Sequence, residues 1–243
     1  MAEQPVPYNR NSMCIWWPMV EHVKVPKPRT TLVDATEWYD QLWRALDGGP
    51  MPDALLERIR QAAHNIGYPC FVRGDLTSGK HDYPETCLLD RPERTGLHVA
   101  ALVEAGAMGP GDVPRAFAVR ELLSLRAPFV AFHGLPIANE YRFFVRDGKI
   151  LCEHFYWPTD SIRFWSVPEP KGWADTLAFS LEDGWPPPRH HARKVAKTLP
   201  GFWSLDFAQS VSGDWYFIDA ATGEDSWHWP GCPKSTDPAA EGG

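Results

Sequence analysis

The chain has 243 residues, of which 44% are hydrophobic and 13% aromatic, a composition that allows one large domain or two small lobes with a packed core. The formal net charge of −7 argues against a nucleic-acid scaffold, because phosphate binding relies on massed Lys and Arg. No segment approaches the ~18 apolar residues of a membrane span, and the start M-A-E-Q-P-V-P lacks a signal-peptide pattern. We therefore expect a cytoplasmic protein without a membrane partner.

The first part of the chain is predicted to hold short strands and two helices. Gly48-Gly49 and Gly67 end the helices, because glycine readily takes the left-handed conformation that follows a helix. In chain order the predicted elements are a strand at 13–20, a strand edge or ordered loop at 23–33, a helix that opens at Thr36, a helix at 52–65 and a strand at 69–72.

The second part mixes helices with antiparallel hairpins, which indicates an α+β fold rather than a doubly wound parallel sheet. The predicted elements are a helix at 95–109, a strand at 116–123, a hairpin of 141–145 with 150–155, a basic helix at 189–199 and a hairpin within 202–223. Residues 161–188 are rich in Trp, Pro and Gly and are not assigned. We divide the chain into an N-terminal region (1–68), a core (69–232) and a disordered tail (233–243).

Two acidic residues in the last hairpin carry the strongest chemical signal. Ser212-Gly213-Asp214 supplies the turn, and counting back from it places Asp206 and Asp219 opposite each other on the two strands. Two carboxylates held this close repel each other unless a cation lies between them. An oxygen-liganded ion such as Mg²⁺, which usually accompanies nucleotide phosphates, is one interpretation, and two solvent-facing aspartates are the other.

Basic residues near three predicted strands could bind an anion. Arg73 ends a buried strand and is followed by the loop 77–80 (Thr-Ser-Gly-Lys), which suits phosphate oxygens although it does not match the Walker pattern. Arg120-Glu121 within an apolar strand either faces a cleft or forms a salt bridge at a sheet edge. Glu140 and Arg142 share one face of a strand, as an ion pair or as half of an anion site.

The five cysteines are odd in number and include no C-x-x-C pair, so reduced thiols are the default expectation. Cys152-x-His154 and His228-x-x-x-Cys232 contain zinc-ligand residue types. Because their spacing differs from the paired spacing of known structural sites, the sequence alone does not favour a zinc site.

Together these segments resemble the ATP-grasp family over residues 69–230. The run from Glu140 to Val145 and the pair of Asp strands are the most specific parts, and the likeness includes short phage and bacterial ATP-grasp proteins and the cell-division-cycle assembly factors. The resemblance implies two α+β lobes whose antiparallel sheets clamp ATP and Mg²⁺. It implies Mg²⁺ ligation by Asp206 and Asp219 and catalytic roles for Arg142 and Lys80. The implied nucleotide-binding residues are Arg73, Thr77, Ser78, Gly79, Lys80, Arg120, Glu121, Leu122, Leu123, Glu140 and Arg142.

The chain departs from the family pattern at one metal ligand. The family's last carboxylate is followed two positions later by Asn, whereas here Asp219 is followed by Ala221, which cannot ligate. The candidates to replace this ligand are Thr222, Glu224 and Asp225. The candidates for a further phosphate-contacting basic residue of the family are Lys24, Lys27 and Arg29.

The resemblance implies an ATP-dependent ligase that joins a carboxylate to an amine or thiol through an acyl phosphate. The alternative is a non-catalytic module that binds ATP and Mg²⁺ and regulates or assembles a protein partner. Nucleic-acid modification is a third reading, which the net acidity disfavours. The carboxylate and amine substrates stay unidentified, and residues 157–188 are expected to set specificity.

Overall fold

The computed structural model describes residues 9–157, 162, 171–176, 186–229 and 231–234. Most of the unassigned segment 161–188 and all but two residues of the tail 233–243 lie outside these ranges. The strands are β1 (Thr30–Asp34), β2 (Cys70–Gly74), β3 (Leu88–Leu89), β4 (Ala116–Glu121), β5 (Phe129–Ala131), β6 (Leu135–Ile137), β7 (Glu140–Arg146), β8 (Lys149–Phe155), β9 (Phe202–Gln209) and β10 (Trp215–Thr222). The α-helices are α1 (Met13–Val20), α2 (Tyr39–Leu46), α3 (Asp53–Ile66), α4 (Tyr83–Thr86), α5 (Thr95–Met108) and α6 (Arg189–Ala196). Within the described ranges, no helix has the length and apolar character needed to cross a membrane.

The first sheet has the strand order β1-β4-β2-β3, and every pair is antiparallel. Helices α2, α3 and α5 bury their apolar residues with those of this sheet in one cluster. The predicted helices at 36, 52–65 and 95–109 are confirmed as α2 (after a short 3₁₀ turn), α3 and α5. Since β1 pairs with β4, the regions 1–68 and 69–232 both contribute to this sheet.

Residues 13–20 form helix α1, so the prediction of a short strand there is wrong. Ser12 begins the helix, since its side-chain oxygen accepts the Cys14 amide at 3.1 Å. Trp16 is fully buried and meets the Phe217 ring edge-on, with 5.9 Å between centroids. Because most of α1 is covered, its apolar residues follow one another without the 3.6-residue period that marks a surface helix.

The second sheet has the order β10-β9-β7-β8 and is also antiparallel throughout. Helices α1 and α6 cover it and share one apolar cluster with its inner strands. Both predicted hairpins and the basic helix are confirmed, as β7–β8, β9–β10 and α6. Asp206 and Asp219 pair across β9 and β10 as predicted, next to a bulge that follows Phe217. A bulge locally re-aims side chains, here close to the second aspartate.

An extended stretch, residues 122–124, leads from β4 of the first sheet towards the second. Leu125 then forms a bridge with Ser210, and the Val211 amide donates to the Ser124 carbonyl at 2.9 Å. The small β5–β6 hairpin and a third apolar cluster follow. Helices mixed with antiparallel sheets confirm the predicted α+β class, and the two sheets border a common cleft.

Candidate functional site

A solvent-open cleft of about 870 Å³ lies between the two sheets, and its wall is partly apolar and partly charged. Its apolar residues include Phe71, Leu135, Pro136 and Ile218. The residues predicted for the site that line the cleft are Arg73, Ser78, Lys80, Arg120, Glu121, Leu122, Leu123, Glu140, Asp206 and Asp219. Thr77, Gly79 and Arg142, also predicted, are not part of its wall. The fold therefore brings together residues that lie far apart in the sequence.

Each of the two facing aspartates holds an arginine. Arg142 donates from Nε and Nη2 to the two carboxylate oxygens of Asp206, both at 2.8 Å. Arg73 Nη1 lies 2.8 Å from Asp219 Oδ2. Burial opposes the charge of Arg142, but Asp206 raises the pKa of this guanidinium above its ordinary value. The carboxylates are thus compensated by arginines when no cation is present, and the partner of Arg142 is Asp206 rather than Glu140.

Arg120 is a buried cation with an unfilled donor. Its Nε donates to Thr30 Oγ1 at 3.2 Å and its Nη1 to the Ile218 carbonyl at 2.7 Å. Its Nη2 is buried and has no hydrogen-bond partner within the described part of the chain. Burial, and then repulsion from Arg73, lowers the pKa of Arg120 to about 9. Two buried guanidiniums near a single carboxylate, Asp219, make this wall attractive to an anion.

Lys80 enters the cleft from the 3₁₀ turn Lys80–Asp82. Its Nζ donates to the Tyr156 hydroxyl at 2.6 Å and lies 4.1 and 4.7 Å from the ring centroids of Tyr156 and Trp157. Burial opposes the ammonium charge, but Tyr156 and Glu140 raise the pKa of Lys80 above its ordinary value. Lys80 is therefore a positive charge held in place by two aromatic rings.

The loop before Lys80 is held against α4. The Thr86 hydroxyl donates to the Gly79 carbonyl at 2.7 Å, and Cys87 Sγ donates to the Ser78 carbonyl at 2.9 Å. Gly79 has φ of 62°, and a Cβ at this position would lie 3.1 Å from the Thr86 methyl. Glycine is required here both for the left-handed backbone and for the close approach.

Glu140 is a further carboxylate in the cleft wall. It is buried, and burial raises the pKa of Glu140 to about 8, against the lowering effect of Lys80 and with a smaller rise from Asp206. Glu140 is therefore mostly protonated at neutral pH, and a cation bound nearby would favour its ionised form.

The stretch between the two sheets presents free backbone groups to the cleft. Leu122 and Leu123 line the cleft, and neither makes a backbone hydrogen bond with another described residue. Glu121 turns towards Arg29, with 3.5 Å between Oε2 and Nε. Of the two alternatives for Arg120-Glu121, each residue takes one: Arg120 faces the cleft, and Glu121 forms a salt bridge at the first sheet.

The residues considered as replacements for the ligand missing at Ala221 do not line the cleft. The Thr222 hydroxyl donates to Asp225 Oδ2 at 2.6 Å, and Asn11 Nδ2 donates to the same oxygen at 2.8 Å. Glu224 is exposed. The structure thus gives the cleft no ligand from residues 221–225.

The three basic candidates from the N-terminal region also lie outside the cleft wall. Lys27 donates to backbone carbonyls of its own loop. Arg29 donates to the Ile66 carbonyl at 2.8 Å, and Lys24 is exposed. The basic residues that line the cleft are Arg73, Lys80 and Arg120.

Two aromatic residues that contact Lys80 were not among the predicted site residues. Trp157 lines the cleft, and Tyr156 packs under both Lys80 and Arg142, whose guanidinium lies 4.6 Å from its ring centroid. Trp157 carried only a compositional signal, as one of 12 Trp. Tyr156 carried none, because its role depends on how β8 ends against the loop that holds Lys80.

A comparison with protein families identifies this fold and cleft. The model of a family described as an ATP-grasp domain, the third family of its clade, matches residues 30–240. The chain is an ATP-grasp protein. The predicted resemblance is confirmed, and the matched region starts at β1 rather than at residue 69.

Two solved structures share the fold of this ATP-grasp protein. Cdc123 from Schizosaccharomyces pombe has a TM-score of 0.54 and 11% identity, over 88% of this chain and 83% of the Cdc123 chain. A biotin carboxylase-beta-gamma-ATP complex from Campylobacter jejuni has a TM-score of 0.50 and 13% identity, over 87% of this chain and 40% of the other. The ATP-grasp protein thus spans less than half of that carboxylase chain. A search of curated protein sequences found no match.

The residues of the cleft fit the groups that an ATP-grasp domain takes, a nucleotide and a magnesium ion. The facing carboxylates of Asp206 and Asp219 offer the oxygen ligands that Mg²⁺ prefers. The unpartnered Nη2 of Arg120 is a donor of the kind that a phosphate oxygen accepts. The fit is incomplete at Ala221, where the family's usual Asn ligand is missing.

Proposed function

We propose that this ATP-grasp protein is an ATP-dependent ligase that joins a carboxylate to an amine or a thiol. The observation that carries the proposal is the meeting of two kinds of charge in one cleft: the carboxylates of Asp206 and Asp219, and the cations of Arg73, Lys80 and Arg120. Carboxylates hold Mg²⁺ and cations hold phosphates. Phosphoryl transfer depends on this positioning and charge compensation rather than on a covalent protein nucleophile.

The two arginine–aspartate pairs suggest how the site accepts its ligands. With nucleotide and metal present, Asp206 and Asp219 turn to the metal, and Arg142 and Arg73 turn to the phosphates, so that every charge keeps a partner. Either ligand alone would leave buried charges of one sign unpaired, at about 3–5 kcal/mol for each broken pair. ATP and Mg²⁺ are therefore expected to bind as a unit.

The remaining predicted residues are assigned to the nucleotide. Leu122 and Leu123 offer free backbone groups beside an apolar wall, which suits the adenine ring. The loop of Thr77, Ser78 and Gly79 leads into Lys80 and is placed beside the phosphates. Glu140 compensates Lys80 and supports the metal-binding aspartates.

The proposed reaction has two balanced steps. A carboxylate oxygen of the substrate attacks the γ-phosphorus, the bond to the bridging oxygen breaks, and ADP leaves with that electron pair. The amine or thiol then attacks the acyl carbon, the carbon–oxygen bond to the phosphoryl group breaks, and inorganic phosphate leaves while the nucleophile loses its proton. Arg142 and Lys80 neutralise the negative charge that develops on the transferred group.

Ala221 favours a second candidate function, a non-catalytic module that binds ATP and Mg²⁺ and holds a protein partner. The side chain at this position cannot ligate, and Thr222 and Asp225 are tied to each other. A site with two carboxylate ligands can still hold Mg²⁺, because this ion keeps several waters when bound to proteins. Binding thus requires less of the site than catalysis does.

Hydroxylamine trapping distinguishes the two candidates whatever the natural acceptor is. The protein is incubated with ATP, Mg²⁺, hydroxylamine and a panel of amino acids, dipeptides, hydroxy acids and fatty acids. We expect hydroxamate and ADP in equal amounts with at least one carboxylate. Asp219→Asn should lower both by about 100-fold, as for the loss of one group that stabilises transition-state charge. Asp214→Asn, in the turn of the same hairpin, should change neither.

Tight Mg²⁺-dependent ATP binding, with neither hydroxamate nor ADP above the Asp219→Asn background for any carboxylate, would contradict the ligase. That outcome would support the binding module instead.

A further inference from the structure

A second cluster of ligand-type side chains lies outside the cleft, between strand β8 and the segment that follows β10. Cys152 and His154 alternate on β8 and so share a face of the strand. His228 and Cys232 come from the C-terminal segment. The ligand atoms of these four residues, two sulfurs and two imidazole nitrogens, all lie within 4.8 Å of one another. We propose that they form a structural zinc site.

The distances suit a single tetrahedral ion. Zinc lies about 2.3 Å from sulfur and about 2.0–2.1 Å from nitrogen, so neighbouring ligand atoms in a tetrahedral shell are roughly 3.3–3.8 Å apart. Cys152 Sγ and His228 Nε2 lie 3.1 Å apart, so modest side-chain rotations close the set around an ion. Two thiolates with two imidazoles in tetrahedral arrangement select zinc, whereas magnesium and calcium take oxygen ligands.

One atom of the cluster lacks a partner that a metal would supply. His154 Nε2 is buried and makes no hydrogen bond within the described residues. The His228 ring stacks on Phe144, with 3.8 Å between centroids and 5° between planes, which fixes its direction. Burial lowers the pKa of both imidazoles, and the neutral ring is the form that binds metals. Cys152 and Cys232 are both free thiols.

A zinc ion at this position would attach the C-terminal segment to an edge strand. β8 is the outer strand of the second sheet, and Trp229 Nε1 already donates to the Phe155 carbonyl at 2.7 Å. In the same segment, the Trp227 carbonyl accepts Arg142 Nη1 at 3.3 Å. Four protein ligands leave no open position, which is typical of structural rather than catalytic zinc. Because none of the four ligands lines the cleft, the zinc site and the proposed function are tested independently.

Metal analysis of the full chain, expressed without a polyhistidine tag, tests the site. We expect about one zinc ion per wild-type chain, as for a closed four-ligand site. Cys152→Ser and His228→Gln should each reduce the zinc content to below about a tenth of an ion per chain, since each removes a ligand. Cys14→Ser is the matched control, because Cys14 is also half-buried, and it should keep its zinc. Wild-type protein without zinc, or zinc retained in Cys152→Ser, would overturn the proposal.

Two measurements on the wild type avoid dependence on variants that fold poorly. After zinc is removed with a chelator, added Co²⁺ should give the intense visible bands of a tetrahedral ion and a thiolate-to-cobalt band in the near ultraviolet. Only the weak spectrum of octahedral cobalt would overturn the site. A thiol reagent should find all five cysteines free in the denatured protein. Two fewer thiols, from a disulfide between Cys152 and Cys232, would overturn it as well.

Discussion

Replacing Arg120 with Met is expected to stabilise the nucleotide-free protein and, in the same variant, to remove most of its ATP affinity. Arg120 is buried with an unpartnered Nη2, and burial and Arg73 lower the pKa of Arg120 to about 9. An apolar side chain of similar length removes this uncompensated charge, which should raise the free energy of unfolding by about 1–2 kcal/mol. Loss of a desolvated charge contact to phosphate costs about 2–5 kcal/mol, so ATP should bind roughly 30-fold more weakly or worse.

Thermal unfolding with and without ATP and Mg²⁺ measures both effects on one sample. The variant should melt above the wild type without ligand and should show little rise when ligand is added. Arg60→Met, on helix α3 and paired with Glu57 at the surface, is the control and should respond to ligand as the wild type does. An Arg120→Met protein that melts below the wild type and still rises with ATP would contradict the anion-binding role of Arg120.

Replacing Lys80 with Met is expected to weaken ATP binding by about 30-fold or more, since it removes a buried charge from the phosphate wall. The Met side chain keeps the packing on Tyr156 and Trp157, so the free energy of unfolding should fall by only about 1 kcal/mol, the size of a cation–π contact. Calorimetric titration of ATP in the presence of Mg²⁺ gives the affinity, and urea unfolding gives the stability.

Two further variants separate charge from packing at this position. Lys80→Arg keeps a cation and should recover part of the lost affinity. Lys149→Met, in the exposed turn between β7 and β8, should bind ATP as the wild type does. Wild-type affinity in Lys80→Met would show that the ammonium does not contact the nucleotide.

Local patterns in the sequence were enough to predict part of the site. Asp206 and Asp219 belong to one hairpin, so the turn chemistry of Ser212-Gly213-Asp214 is sufficient to place them opposite each other. Arg73 and the Thr-Ser-Gly-Lys loop are adjacent in the chain, and their order along the sequence carried the family resemblance. Predictions of this kind need only the side-chain period of a strand and the geometry of a turn.

The interactions that were missed depend on pairing between distant strands. The bidentate contact of Arg142 with Asp206 follows from the register of β7 against β9, which no local pattern specifies. The cluster of cysteines and histidines is a second case, because Cys152 and His228 are 76 residues apart and meet only when the C-terminal segment crosses β8. Helix α1 was missed for another reason: it is covered on most sides, and a covered helix has the same continuous apolar sequence as a buried strand.

The central claim is that Asp206 and Asp219 make nucleotide binding depend on Mg²⁺. Calorimetric titrations of ATP alone, Mg²⁺ alone and ATP with Mg²⁺ test it, on the wild type, the double variant Asp206→Asn/Asp219→Asn and the hairpin control Asp214→Asn. In the wild type and the control, we expect ATP with Mg²⁺ to bind at least about ten-fold more tightly than ATP alone, because both arginine–aspartate pairs must exchange partners together.

In the double variant, Arg73 and Arg142 lose their carboxylate partners but stay available to phosphate. ATP should then bind with the same affinity whether Mg²⁺ is present or absent. Mg²⁺-dependent binding that survives in the double variant, or ATP binding that is independent of Mg²⁺ in the wild type, would contradict the assignment of Asp206 and Asp219 as the metal ligands.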